Sequence, residues 1–79
     1  MKKLYSIVLN GEIIRVMTDV NAAVSYTNAT KGSCFTVYLD RDIKTLEDLT
    51  LKEIRQILED TEKLTGDILT IKSWVERFF

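Results

Sequence analysis

An α+β fold is predicted for this 79-residue chain from three observations: an Asn10-Gly11 pair between two β-favouring runs, an alternating run at 33–39, and a capped amphipathic run from Leu51 to about Leu64. The expected order is β-β-α-β-α-α, a three-stranded, mainly antiparallel sheet packed with helices. Asn10 and Gly11 both tolerate positive φ, so a two-residue type I′ turn sets Leu9 opposite Glu12, Ile7 opposite Ile14 and Tyr5 opposite Val16. One hairpin face then carries Tyr5, Ile7, Leu9, Ile14 and Val16. The other carries Leu4, Val8, Ile13 and Met17, interrupted by Ser6 and Arg15. Both faces are apolar enough to need a cover, either from the rest of the chain or from a partner.

After the hairpin, Thr18 or Asp19 can cap a helix whose stripe is Val20, Ala23, Val24 and Thr27, with Lys31-Gly32 as its stop. From Ser33 to Leu39, Phe35, Val37 and Leu39 alternate with Cys34, Thr36 and Tyr38, the period of a strand. Asp40-Arg41-Asp42 reads as the exit turn, and 43–49 as a connection with a single helical turn starting at Thr45. Thr50 with Glu53 forms a capping box, and Leu49 with Ile54 a hydrophobic staple. The helix that follows carries a core stripe of Leu51, Ile54, Leu58 and Thr61, flanked by Ile57 and Leu64, and stops at Thr65-Gly66. From Asp67 onward two patterns compete. Ile68-Leu69-Thr70-Ile71 has strand character, whereas Ile68, Ile71, Trp74, Val75 and Phe78 recur at helical spacing, and the helical reading is favoured.

Composition narrows the function classes. With 46% hydrophobic and 29% charged residues, no proline and no low-complexity run, residues 1–79 read as one globular domain. No apolar run approaches the roughly 20 residues of a membrane span, and Met1-Lys2-Lys3 is followed by alternating hydrophobicity rather than a leader; a cytoplasmic location without membrane contact is expected. A net charge of −1 provides no general attraction to nucleic acid or anionic lipid.

The residues of an active site are scarce. There is no histidine, so the usual general base near neutral pH is missing. Cys34, the single cysteine, lies on a predicted strand and reads as a half-buried thiol that behaves as a small hydrophobe. Asp40, Asp42, Glu47 and Asp48 concentrate acid outside a helix, but counting from Asp40 the sixth-position glycine and twelfth-position glutamate of a calcium-binding EF-hand loop are absent. Gly11, Gly32 and Gly66 each have a turn or cap role and form no phosphate-binding loop. A non-enzymatic protein without metal or cofactor is the expectation.

Charge is spread unevenly. Residues 1–39 hold four basic groups against two acidic, residues 40–67 five against nine, and residues 68–79 two against one. The acidic middle makes Asp40, Asp42, Glu47, Asp48, Glu59 and Glu62 candidate contacts to a basic partner surface. Leu4, Val8, Ile13 and Met17 are a candidate apolar interface, for a partner or for a homodimer. As an alternative, Lys2, Lys3, Arg15 and Lys31 with Tyr5 and Tyr26 make a basic, aromatic-bearing surface for a nucleic-acid-binding regulator. Trp74, Phe78 and Phe79 read as a terminal helix completing the core.

In its size, mild acidity and lack of a catalytic constellation, the chain resembles small stand-alone proteins that work by binding, among them phage-encoded inhibitors such as anti-CRISPR proteins. The resemblance is generic and no motif carries it residue by residue. It implies an inhibitor or adaptor that occludes a larger protein by shape and charge.

Overall fold

The computed structural model describes residues 2–71. β1 (Lys2–Leu9) and β2 (Glu12–Met17) form the predicted hairpin, with φ of 53° at Asn10 and 76° at Gly11. β3 (Ser33–Leu39) adds antiparallel to the other side of β1, leaving β1 between its two neighbours. A fourth strand, β4 (Thr70–Ile71), runs parallel to β2, so the sheet is mixed with order β3-β1-β2-β4.

That fourth strand corrects the expected three-stranded β-β-α-β-α-α order. Asp67 to Ile71 is not helical: the segment leaves α2 (Leu51–Thr65) at Gly66, turns, and lays Thr70 and Ile71 beside Glu12 and Ile13. Two anchors set this path. The Leu69 amide donates to Glu62 Oε2 at 2.8 Å, and the Thr70 amide donates to the Gly11 carbonyl at 3.1 Å. Leu69 is buried, and open β2 edge groups accept the strand, so tertiary pairing overrides the helical spacing. Trp74, Val75, Phe78 and Phe79 lie outside the described residues.

The hairpin register also departs from expectation beyond its first two pairs. Leu9 faces Glu12 and Val8 faces Ile13, but a bulge at Ile14 then sets Ile7 opposite Arg15, Ser6 opposite Val16 and Tyr5 opposite Met17. One inserted residue exchanges every side chain after it between the two faces. Val16 thereby joins Leu4, Ser6, Val8 and Ile13, while Arg15 and Met17 join Tyr5 and Ile7. The bulge removes an arginine from beneath the main helix and replaces it with a valine that is 3% exposed.

Each sheet face has its own helix. α1 (Val20–Thr30) starts at Asp19, whose carboxylate accepts from the Ala22 amide at 2.8 Å, and ends with Lys31 in the left-handed region. It packs on the Ile7 and Arg15 side, where Ala23 and Ile7 are fully buried. Only Ala23 of its predicted stripe is buried; Val20 and Val24 are about half exposed at 48% and 50%. α2 covers the opposite face through Ile54, Ile57 and Thr61, joining Leu4, Ile13, Val16 and Val37 in the main core. Leu51 and Leu64, expected in that stripe, face solvent instead.

In the middle of this core Ser6 and Thr61 share a buried hydrogen bond of 3.0 Å between their hydroxyls. The Ile57 carbonyl accepts the single Thr61 proton at 2.7 Å, leaving the Thr61 oxygen to receive the one from Ser6. The polar position that interrupts the β1 pattern is thus satisfied.

Candidate functional site

The acidic connection between β3 and α2 is held more firmly than its polar composition implies. Ile43 and Leu49 are buried at its two ends and Leu46 is half-buried between them. Leu46–Asp48 forms a single 3-10 turn after Thr45, as the sequence predicts. Asp48 Oδ2 accepts from the amides of Lys44 and Thr45 at 3.3 and 3.2 Å, so this carboxylate is spent on shaping the turn.

Arg41 ties the connection to the first turn of α2. Its Nε and Nη2 donate to the two carboxylate oxygens of Glu53 at 2.9 and 2.8 Å, and Nη2 also donates to the Asp48 carbonyl at 2.7 Å. This two-pronged geometry is the strong form of an arginine–carboxylate pair. Glu53 Oε1 accepts from the Thr50 amide at 3.0 Å as well, while the Thr50 hydroxyl accepts from the Glu53 amide at 3.2 Å, completing the capping box. The Arg41 guanidinium, with the Thr50 amide second, lowers the Glu53 carboxyl from 4.5 to about 2, and the same hydrogen bond raises Arg41.

A pH dependence follows from that lowered carboxyl. Because Glu53 titrates lower folded than unfolded, its contribution is complete above about 4.5 and disappears as pH falls toward about 2. In urea melts, Glu53→Gln is expected to be less stable than the parent chain at pH 7, with the gap closing between pH 4.5 and 2. A gap of constant size across that range would show that the ion pair contributes nothing through its charge.

The six acidic candidates fall into two groups rather than one patch. Asp40, Asp42, Glu47 and Asp48 stand at the start of α2, whereas Glu59 and Glu62 lie in its last two turns, toward the far end of a helix about 22 Å long. Lys52 and Arg55 are exposed on the helix between them. Asp40, Asp42, Glu47 and Glu59 are exposed, while Asp48 and Glu62 are engaged by backbone amides. Around the second group, Glu59, Glu62 and Asp67 line a shallow depression beside Ile68, which is 93% exposed. Sequence spacing does not single out Asp67 or Ile68, because the turn after Gly66 places them.

The apolar candidates are corrected. Leu4 and Ile13 are fully buried under α2 and belong to the core of the chain itself; Val8 and Met17 are half-buried, on opposite faces of the sheet because of the Ile14 bulge. The four therefore share no common exposed face. Cys34 is exposed on β3 rather than half-buried.

The basic candidates are dispersed too. Arg15 lies over the Tyr26 ring at 4.8 Å, so one aromatic platform is occupied by the chain's own cation. Its buried Nε has no hydrogen-bond partner among the described residues. Lys2 and Lys3 alternate to opposite sides of β1, and Lys31 caps α1. Nothing local links Arg41 to Glu53 or Arg15 to Tyr26; both pairs are products of packing.

Among the described residues no three Asp, Glu or Cys side chains converge on a metal-holding group, and no helix is long and apolar enough to cross a membrane. Over the described residues, fold and surface together define a small α+β protein with a mixed four-stranded sheet, two helices and an anchored acidic connection. No protein-family model, curated protein or solved structure matches the chain.

Proposed function

We propose that the protein is a non-enzymatic inhibitor or adaptor that binds a basic surface of a larger protein through the acidic connection at the start of α2. One observation carries this reading: Asp40, Asp42 and Glu47 are exposed carboxylates on a segment pinned by Ile43, Leu49 and the Arg41–Glu53 pair. Arg41 is bound to Glu53, so Lys44 is the one cation of the connection not held by a carboxylate among the described residues, against the exposed Asp40, Asp42 and Glu47. Charges held in fixed positions lose little entropy on binding, and they speed encounter with a surface of opposite sign. Leu51, 71% exposed on the first turn of α2, adds apolar area beside them.

Support for a non-enzymatic role comes from what the polar groups do. Glu53, the carboxyl displaced to about 2, is locked to Arg41 instead of lining a substrate cleft. Steric occlusion, with a few desolvated contacts giving most of the affinity, is the mechanism of such a binder.

The test is capture of a partner from the native host's extract by the immobilised chain, followed by binding kinetics on the captured protein. Asp40→Asn, Asp42→Asn and Glu47→Gln combined are expected to slow association at least tenfold at low salt and to flatten its salt dependence. The reading fails if the combined variant binds at the parent rate.

A further inference from the structure

The open edge of the sheet at β3 is the surface that this reading leaves unused. β3 has β1 as its single neighbour, and no backbone hydrogen bond joins Ser33–Leu39 to another element among the described residues. Natural edge strands carry lysine, proline or a bulge to prevent further pairing. β3 has none of these: Ser33, Cys34, Phe35, Thr36, Val37, Tyr38 and Leu39 are all uncharged, and the β1–β3 register runs without a break. That neutrality is unusual in a chain that is 29% charged.

The surroundings of the edge favour one kind of occupant. Thr36 and Tyr38 project toward the α1 side and Lys63, Leu64 and Asp60 come from α2, yet they line a single depression, which therefore runs across the exposed edge. Tyr38 and Leu64 are 52% and 56% exposed there. Asp60 and Lys63 place one anion and one cation on the same rim. A two-fold axis repeats this anion and cation in reverse order along the seam, the order a self-complementary contact requires, and the Asp60 carboxylate also accepts from Gln56 Nε2 at 2.9 Å.

We propose that β3 pairs antiparallel with β3 of a second copy about a two-fold axis at Thr36, joining two four-stranded sheets into one continuous sheet. This register pairs all seven residues. Phe35 lies beside Val37 of the partner copy on the α2 side, and Cys34 beside its Tyr38 on the α1 side. Thr36 meets itself on the axis, and β-branched and aromatic residues are the side chains that favour such cross-strand pairs. No like charges are opposed. The acidic connection starts at Asp40, directly after Leu39, so the dimer displays two copies of it, one at each end of the seam.

Sedimentation of the purified chain up to millimolar concentration tests the pairing without any partner protein. The expected mass is that of two chains. Thr36→Lys and Tyr38→Lys, each at an exposed position, are expected to halve that mass while leaving the circular dichroism spectrum unchanged and the Tm equal to that of the parent diluted to its single-chain mass. In a Cys34→Ser background, Thr36→Cys is expected to yield a covalent dimer on mild oxidation, which Cys34→Ser alone does not form. A single-chain mass at millimolar concentration overturns the proposal. So does a folded Thr36→Lys chain that still sediments as two, since the contact would then lie elsewhere.

Discussion

Leu4→Ala is expected to destabilise the chain by about 3–5 kcal/mol, the largest effect of any conservative truncation. Leu4 is fully buried in the middle of β1, opposite Val37 on β3 and within the cluster that α2 closes through Ile54 and Ile57. Two neighbouring strands and a helix fix the walls around it, so the cavity left by alanine cannot collapse. Domains of this length have a total stability on the order of 4–12 kcal/mol, so one truncation removes much of it. Urea melts measure the loss, with Ile68→Ala as the control. Ile68 is 93% exposed, and its change should lie within about 0.5 kcal/mol of the parent. A Leu4→Ala loss below about 1.5 kcal/mol would mean that the two layers over β1 are loosely packed.

Gly32→Ala is expected to be the next most damaging small change, at about 1–3 kcal/mol, because an added methyl has nowhere to go. A Cβ at Gly32 would lie 2.8 Å from the Val8 carbonyl oxygen and 3.2 Å from Ile7 Cγ2. The first contact is with backbone, so relief requires moving β1 or the α1–β3 junction. Gly66 offers the contrast. Its φ of +77° puts alanine under conformational strain, but nothing lies within 4 Å, and about 1 kcal/mol is the expected loss. Thermal melts of the two variants separate steric from conformational cost. Equal losses would contradict the close approach at Gly32.

Much of the fold is legible from local signals. Asn10-Gly11 turns as its φ preference dictates, Asp19 and Thr50 cap the helices that they precede, and Thr45 begins the short turn before α2. In each case the controlling interaction spans three or four residues, within reach of sequence spacing. The need for a cover on each hairpin face is met by α1 on one side and α2 on the other.

The acidic surface is only half legible. Composition identifies Asp40, Asp42 and Glu47 as exposed charge, but it cannot distinguish them from Asp48 and Glu62, whose carboxylates are bound to backbone amides. Nor does it show that Arg41 reaches twelve residues ahead to Glu53. A pair at that separation depends on the path of the connection, which Ile43 and Leu49 set by burying themselves.

Turns, caps and the two capped helices therefore follow from the amino-acid order, because the interactions that fix them span only three or four residues; the uncapped helical spacing over 67–71 does not. Register past Ile14, the strand at Thr70–Ile71 and the choice of which leucines are buried belong to assembly. There the deciding energy is the fit of distant segments against one another: Val16 rather than Arg15 under α2, and Leu69 drawn into the core beside β2. One shifted residue in a strand moves a charge from water to the interior, and only contacts across the folded layers select against it.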